Sequence, residues 1–168
     1  RYLRPSSFLK HPQQQQRSLV RSFSAQSGDD GPATTPLGTP YSSLKLGIPK
    51  ETFPLEKRVA ATPETVSKLT KPGFSVMIEK DAGAASYFTN AEYEAAGAKI
   101  VTADEIWKSD IVMKLRPPTP EEVKQLEDRT LISFIYPAQN KELVKELEDQ
   151  KATVFAMDCI PRTLSRGQ

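Results

Sequence analysis

The chain has 168 residues, 38% of them apolar, a net charge of +2 and a single cysteine, Cys159, which fits one folded domain and rules out an internal disulfide or a multi-cysteine metal site. Its longest apolar runs are about six residues, against the roughly twenty that a membrane helix needs. The positive charge is concentrated at the start: residues 1–28 hold Arg1, Arg4, Lys10, Arg17 and Arg21 and no acid, and residues 24–168 carry a net charge of −3, five below the whole chain. A mildly acidic body without a basic stripe argues against a nucleic-acid partner.

Residues 1–23 are rich in Arg, Ser and Gln, the composition of an organelle transit peptide. Arg21-Ser22-Phe23-Ser24 resembles a mitochondrial processing site cut after Phe23; a plastid address and a basic tail are the alternatives. His11, the only histidine, lies in this segment. Without it, the body has no imidazole for general-base work or zinc ligation. Residues 24–43, dense in Gly, Pro, Ser and Thr, read as a flexible linker. The chain starts without methionine and stops in a polar loop, so both ends read as truncations.

From residue 44 onward, short apolar runs alternate with amphipathic stretches. The runs predict strands at 44–48, 74–79, 98–101, 110–115, 130–136 and 153–157, several apolar throughout, as strands covered on both faces are. Helices are predicted at 63–71, 121–129 and 141–150 from apolar residues spaced three or four apart. Thr89-x-x-Glu92, Thr102-x-x-Glu105 and Thr119-x-x-Glu122 fit capping boxes. Pro63 and Pro120 suit first helical positions, and Gly97 suits a left-handed C-cap. Strands alternating with helices imply right-handed crossovers and an α/β fold with a doubly wound, mostly parallel sheet, Rossmann-like and incomplete at the C-terminus.

No Gly-x-Gly-x-x-Gly follows the first strand, so the main dinucleotide-binding half is expected beyond Gln168. Two clusters carry possible chemistry. Gly47-Ile-Pro-Lys-Glu51 with Arg58-Val-Ala-Ala-Thr-Pro63 brings Arg58 to a helix start, suited to an anion, although a plain surface arginine reads equally well. In Pro161-Arg-Thr-Leu-Ser-Arg-Gly-Gln168, Arg162, Ser165, Arg166 and Gln168 could grip a carboxamide or phosphate; a solvated linker is the alternative. Cys159 reads as a small buried thiol at a strand end.

GIPKE, RVAATP, the two Ala-Gly-Ala triplets, SFIYPAQN and AMDCIPR together closely resemble the NAD(H)-binding domain of the proton-translocating NAD(P) transhydrogenases. The first two motifs are shared with alanine dehydrogenases; YPAQN followed by AMDxxPR is more specific. The resemblance covers residues 44–168. It implies hydride transfer from NADH on this domain to NADP+ on a separate one, coupled by a membrane proton-channel domain, in a homodimer on the matrix side of the mitochondrial inner membrane. It implies that Arg162 and Gln168 contact the nicotinamide end of NAD. The loop is one residue longer than the family pattern, which makes Arg166 a substitute for Arg162. The rival resemblance, a soluble alanine dehydrogenase, implies a substrate pocket in which Arg58 grips a carboxylate, while Arg116 stands for a lysine and Tyr136 for the catalytic histidine. Arginine cannot relay a proton, and a tyrosine ordinarily ionises far above neutral pH, so alanine oxidation is not expected. A non-catalytic assembly subunit is the third reading.

Overall fold

Leu46 and Ile48 share one face of the first strand, β1 (Lys45–Ile48), and Gly47 lies on the other. The computed structural model describes residues 38–161. In it β1 pairs on one side with β2 (Ser75–Glu79), which pairs with β3 (Lys99–Val101). On its other side β1 pairs with β4 (Ile111–Met113), followed by β5 (Thr130–Ser133) and β6 (Thr153–Ala156). The order β3-β2-β1-β4-β5-β6 is parallel at every pairing. The expected mostly parallel, doubly wound α/β sheet is therefore wholly parallel within the described residues.

Five helices connect the strands: α1 (Pro63–Thr70), α2 (Asn90–Ala95), α3 (Ala103–Ile106), α4 (Pro120–Val123) and α5 (Lys141–Asp149). Thr62, Thr89 and Thr119 accept backbone N–H groups at three helix starts, and Glu92, Glu105 and Glu122 reach back to the N–H of Thr89, Thr102 and Thr119. Gly97 closes α2 with φ +93°, where only glycine is unstrained.

Two clusters fill the faces. Leu46, Ile48, Val76, Ile78, Val66 and Tyr93 form the first, and the second gathers Val112, Leu131, Val123, Leu126 and Leu147. Tyr93 is fully buried, and its hydroxyl donates to the Ala61 carbonyl at 2.8 Å, tying the long β1–α1 segment to the first core. Gly47 is required by close approach: a β-carbon there would meet the Ser109 hydroxyl and lie 2.8 Å from the Ile106 carbonyl oxygen.

Several expected boundaries change. The helix expected over 121–129 stops at Val123, and the chain continues in i→i−3 turns (Gln125 N–H to Glu122 O, 3.1 Å; Leu126 N–H to Val123 O, 2.9 Å). Val123 and Leu126 are three apart, a spacing those tight turns satisfy as well as an α-helix. β4 and β5 each end earlier than 115 and 136, because side chains take over their last backbone donors. The linker expected over 24–43 is described from Gly38, and its Tyr41 stacks on Phe74 with ring centroids 4.7 Å apart. Cys159 is exposed in the turn after β6 rather than buried, since it lies past the end of β6, the edge strand of the sheet among the described residues.

Candidate functional site

The strand order reverses between β1 and β4. Loops leaving their C-terminal ends diverge there, and open α/β sheets bind ligands in the crevice this creates. Glu51 follows β1 and bridges the gap. Its carboxylate accepts the N–H of Leu115 at 2.6 Å and of Arg116 at 3.4 Å, the donors that β4 leaves unpaired. Lys114 lies beneath, its side chain 1% exposed, donating to both carboxylate oxygens of Glu122 at 3.0 Å and facing Glu51 at 3.8 Å. The buried lysine is thus consumed in joining β1, β4 and α4.

Arg116 projects the other way. Its carbonyl accepts the buried Ser133 hydroxyl at 3.0 Å, and its guanidinium stands 4.9 Å from the Phe53 ring. Its Nε donates to Glu56 at 2.8 Å. The same carboxylate accepts Arg58 Nε at 2.8 Å, Arg58 Nη2 at 2.7 Å and the Arg58 backbone N–H at 3.1 Å. Glu56 is 4% exposed. Hydrogen bonds from Arg58, then from its backbone and Arg116, hold the Glu56 carboxyl far below the usual carboxylate range against the opposing effect of burial. The Arg58 guanidinium is shifted upward by the same pair.

Tyr136 completes the wall. It adopts φ +49°, held by its backbone neighbours at the turn between β5 and α5. Arg58, Leu115, Arg116, Phe134 and Tyr136 line a partly open cavity of about 170 Å³. It adjoins a cleft of about 900 Å³ bounded by Phe53, Arg116, Pro118, Tyr136, Gln139 and Asn140. Arg58, Arg116 and Tyr136, distant in the chain, are therefore brought together. The trio with Glu56 carries one net positive charge, a setting for a single anionic group. Among the described residues no cluster of His, Cys, Asp or Glu could hold a metal ion. Arg162, Ser165, Arg166 and Gln168 lie outside the described residues. Glu56, Lys114 and Asp158, whose carboxylate binds two amides at the end of β5, were not singled out from sequence. Glu56-Lys57-Arg58 offered one signal, an acid two residues from the expected anion-binding arginine.

The β1–α1 segment, residues 49–62, contains Pro49, Lys50, Glu51 and Pro54 and no glycine. A dinucleotide diphosphate needs a glycine-rich turn there for close backbone approach, so these residues do not fit that part of the cofactor. The cleft at the ends of β4 and β5 could offer a rim to one end of it.

A family model described as the alanine dehydrogenase/PNT N-terminal domain matches residues 47–168. The chain belongs to this family. It is 48% identical over 126 residues to an NAD(P) transhydrogenase subunit alpha of Haemophilus influenzae, covering 74% of this chain and 24% of that one. To alanine dehydrogenase 1 of Staphylococcus aureus it is 38% identical over 118 residues, covering 70% and 32%. The crystal structure of a transhydrogenase from Sinorhizobium meliloti superposes with a TM-score of 0.68 at 35% identity, covering 70% and 36%. This is a transhydrogenase-type domain of an oxidoreductase family, and the chain spans about a quarter to a third of the length of these relatives.

Proposed function

We propose that this domain is the NAD(H)-side part of a transhydrogenase that moves hydride between NAD(H) and NADP(H), coupled to proton translocation. The observation that carries the reading is the content of the switch-point cavity: two arginines fixed on a buried glutamate, and a tyrosine. Alanine oxidation needs a proton acceptor beside the substrate, and the arginines cannot act as one. Direct hydride transfer needs placement instead, with reacting atoms about 3–3.5 Å apart. The reduced nicotinamide supplies the hydride when bound. In this reading Arg162, Ser165, Arg166 and Gln168 hold its nicotinamide end, while Arg58, Arg116 and Tyr136 are the remnant of a substrate pocket. The remaining partners are a C-terminal Rossmann half of the same domain, a membrane proton-channel domain, an NADP(H)-binding domain and a second copy of the protein.

The described residues contain no helix long and apolar enough to cross a membrane. The organelle reading, mitochondrial inner membrane on the matrix side or plastid as the alternative, rests on the composition of residues 1–23. Arg58 at the cavity wall favours a second reading, an alanine dehydrogenase-like enzyme gripping a carboxylate. An assay of the full-length gene product separates the two. Reduction of an NADP+ analogue by NADH, without NAD+ reduction by alanine, is expected; robust alanine-dependent NAD+ reduction would overturn the proposal.

A further inference from the structure

Asp158 stands where two strand loops meet. Its Oδ1 accepts the N–H of Ile135 at 3.0 Å and its Oδ2 the N–H of Tyr136 at 3.1 Å. Both donors follow the last laddered residue of β5, Ser133, so a side chain from the turn after β6 replaces the sheet. Tyr136 needs such a hold. Proline at 137 pushes the residue before it toward extended backbone, and a β-carbon disfavours the left-handed region, yet Tyr136 has φ +49°. Asn140 supports the other side, its side-chain amide donating to the Ile135 carbonyl at 2.8 Å, while the N–H groups of Gln139 and Asn140 both reach the Tyr136 carbonyl at 3.0 Å. From this left-handed turn Tyr136 lines the same cavity as Arg58 and Arg116.

We infer that Asp158 is a positioning residue: its carboxylate locks the end of β5 to the turn after β6 and so fixes the Tyr136 wall of the cavity at the strand ends. The functional arm of this inference rests on the hydride-transfer reading; the structural arm does not. Tyr136 lines both the cavity and the adjoining cleft, so holding it should matter for the nucleotide that this domain binds and not for the one on the other domain.

The experiment uses the full-length protein with Asp158→Ala, Asp158→Asn, Tyr136→Asn and the double variant Asp158→Ala/Tyr136→Asn. Asp158→Ala is expected to raise KM for NADH about tenfold, the scale of a small misplacement, and to leave KM for NADP+ unchanged; Asp158→Asn, which keeps one acceptor, falls between. Asp158→Ala also lowers the melting temperature. The double variant recovers at least half of that loss, since asparagine tolerates left-handed backbone without a clamp. Unchanged KM values for both nucleotides in Asp158→Ala would reduce the residue to a structural role and overturn the inference. Melting losses that simply add in the double variant would overturn the clamp on Tyr136. If the wild type moves no hydride between nucleotides, the functional reading falls, and the melting comparison still decides the clamp.

Discussion

Glu56 shows how much one side chain can organise at a loop. It is buried beside a two-thirds exposed Arg58 and a one-third exposed Arg116, and it accepts hydrogen bonds from both. Because Arg58 above all depresses its carboxyl far below the ordinary value of 4.5, the native state keeps it charged where the unfolded chain begins to take up a proton. Its contribution is therefore fully present above about pH 4.5 and is lost as pH falls below that value toward the depressed native one. Glu56→Gln should be less stable than the wild type at pH 7, and the gap should narrow steadily from pH 4.5 to pH 3 in urea unfolding. A gap that stays constant across that range would remove Glu56 from the acid lability. Sequence spacing could reveal the partnership with Arg58, two residues away. It could not reveal Arg116, sixty residues on, because that contact exists only once β1 pairs with β4.

At the scale of elements, helix starts were legible and strand ends were not, for one physical reason. A capping box is a local code, with donor and acceptor three residues apart, and Thr89/Glu92 and Thr119/Glu122 are formed as their spacing implies. The ends of β4 and β5 are set by carboxylates arriving from other loops, Glu51 at Leu115 and Asp158 at Ile135. Lys114 extends this long-range logic, since its single charge is shared between the nearly buried carboxylates of Glu51 and Glu122. Lys114→Met fits the volume and removes the charge, leaving two acids facing each other across a buried gap. It is expected to cost about 3 kcal/mol, the low end for breaking a buried pair because Glu122 keeps slight exposure. Denaturant unfolding measures this; a loss below about 1 kcal/mol would mean that the network contributes geometry rather than stability.

Across the whole sheet, the reversal between β1 and β4 distributes the helices unevenly. Right-handed crossovers place helices on one face while strands are added in one direction and on the opposite face when the direction reverses. Accordingly α1 and α2 pack over β2 and β3, whereas α5 shares a core with Val112, Leu131 and Val154 on the other side. Met113, Ile132 and Phe155 stand in register across β4, β5 and β6 on the face away from that second core. Met113 packs against the first core, but Ile132 joins neither cluster and Phe155 is 58% exposed. Parallel sheets are normally covered on both faces, and an exposed apolar row at an edge strand promotes association. The 168-residue chain is therefore expected to self-associate as its concentration rises, and Phe155→Asp to suppress this. Because Phe155 is mostly solvent-facing, the substitution should leave the unfolding midpoint nearly unchanged. Sedimentation velocity across a concentration series reads both chains directly: association of equal strength in wild type and variant would show that another surface is the adhesive one, whereas a variant that stays monomeric would assign the adhesion to the outer face of β5 and β6.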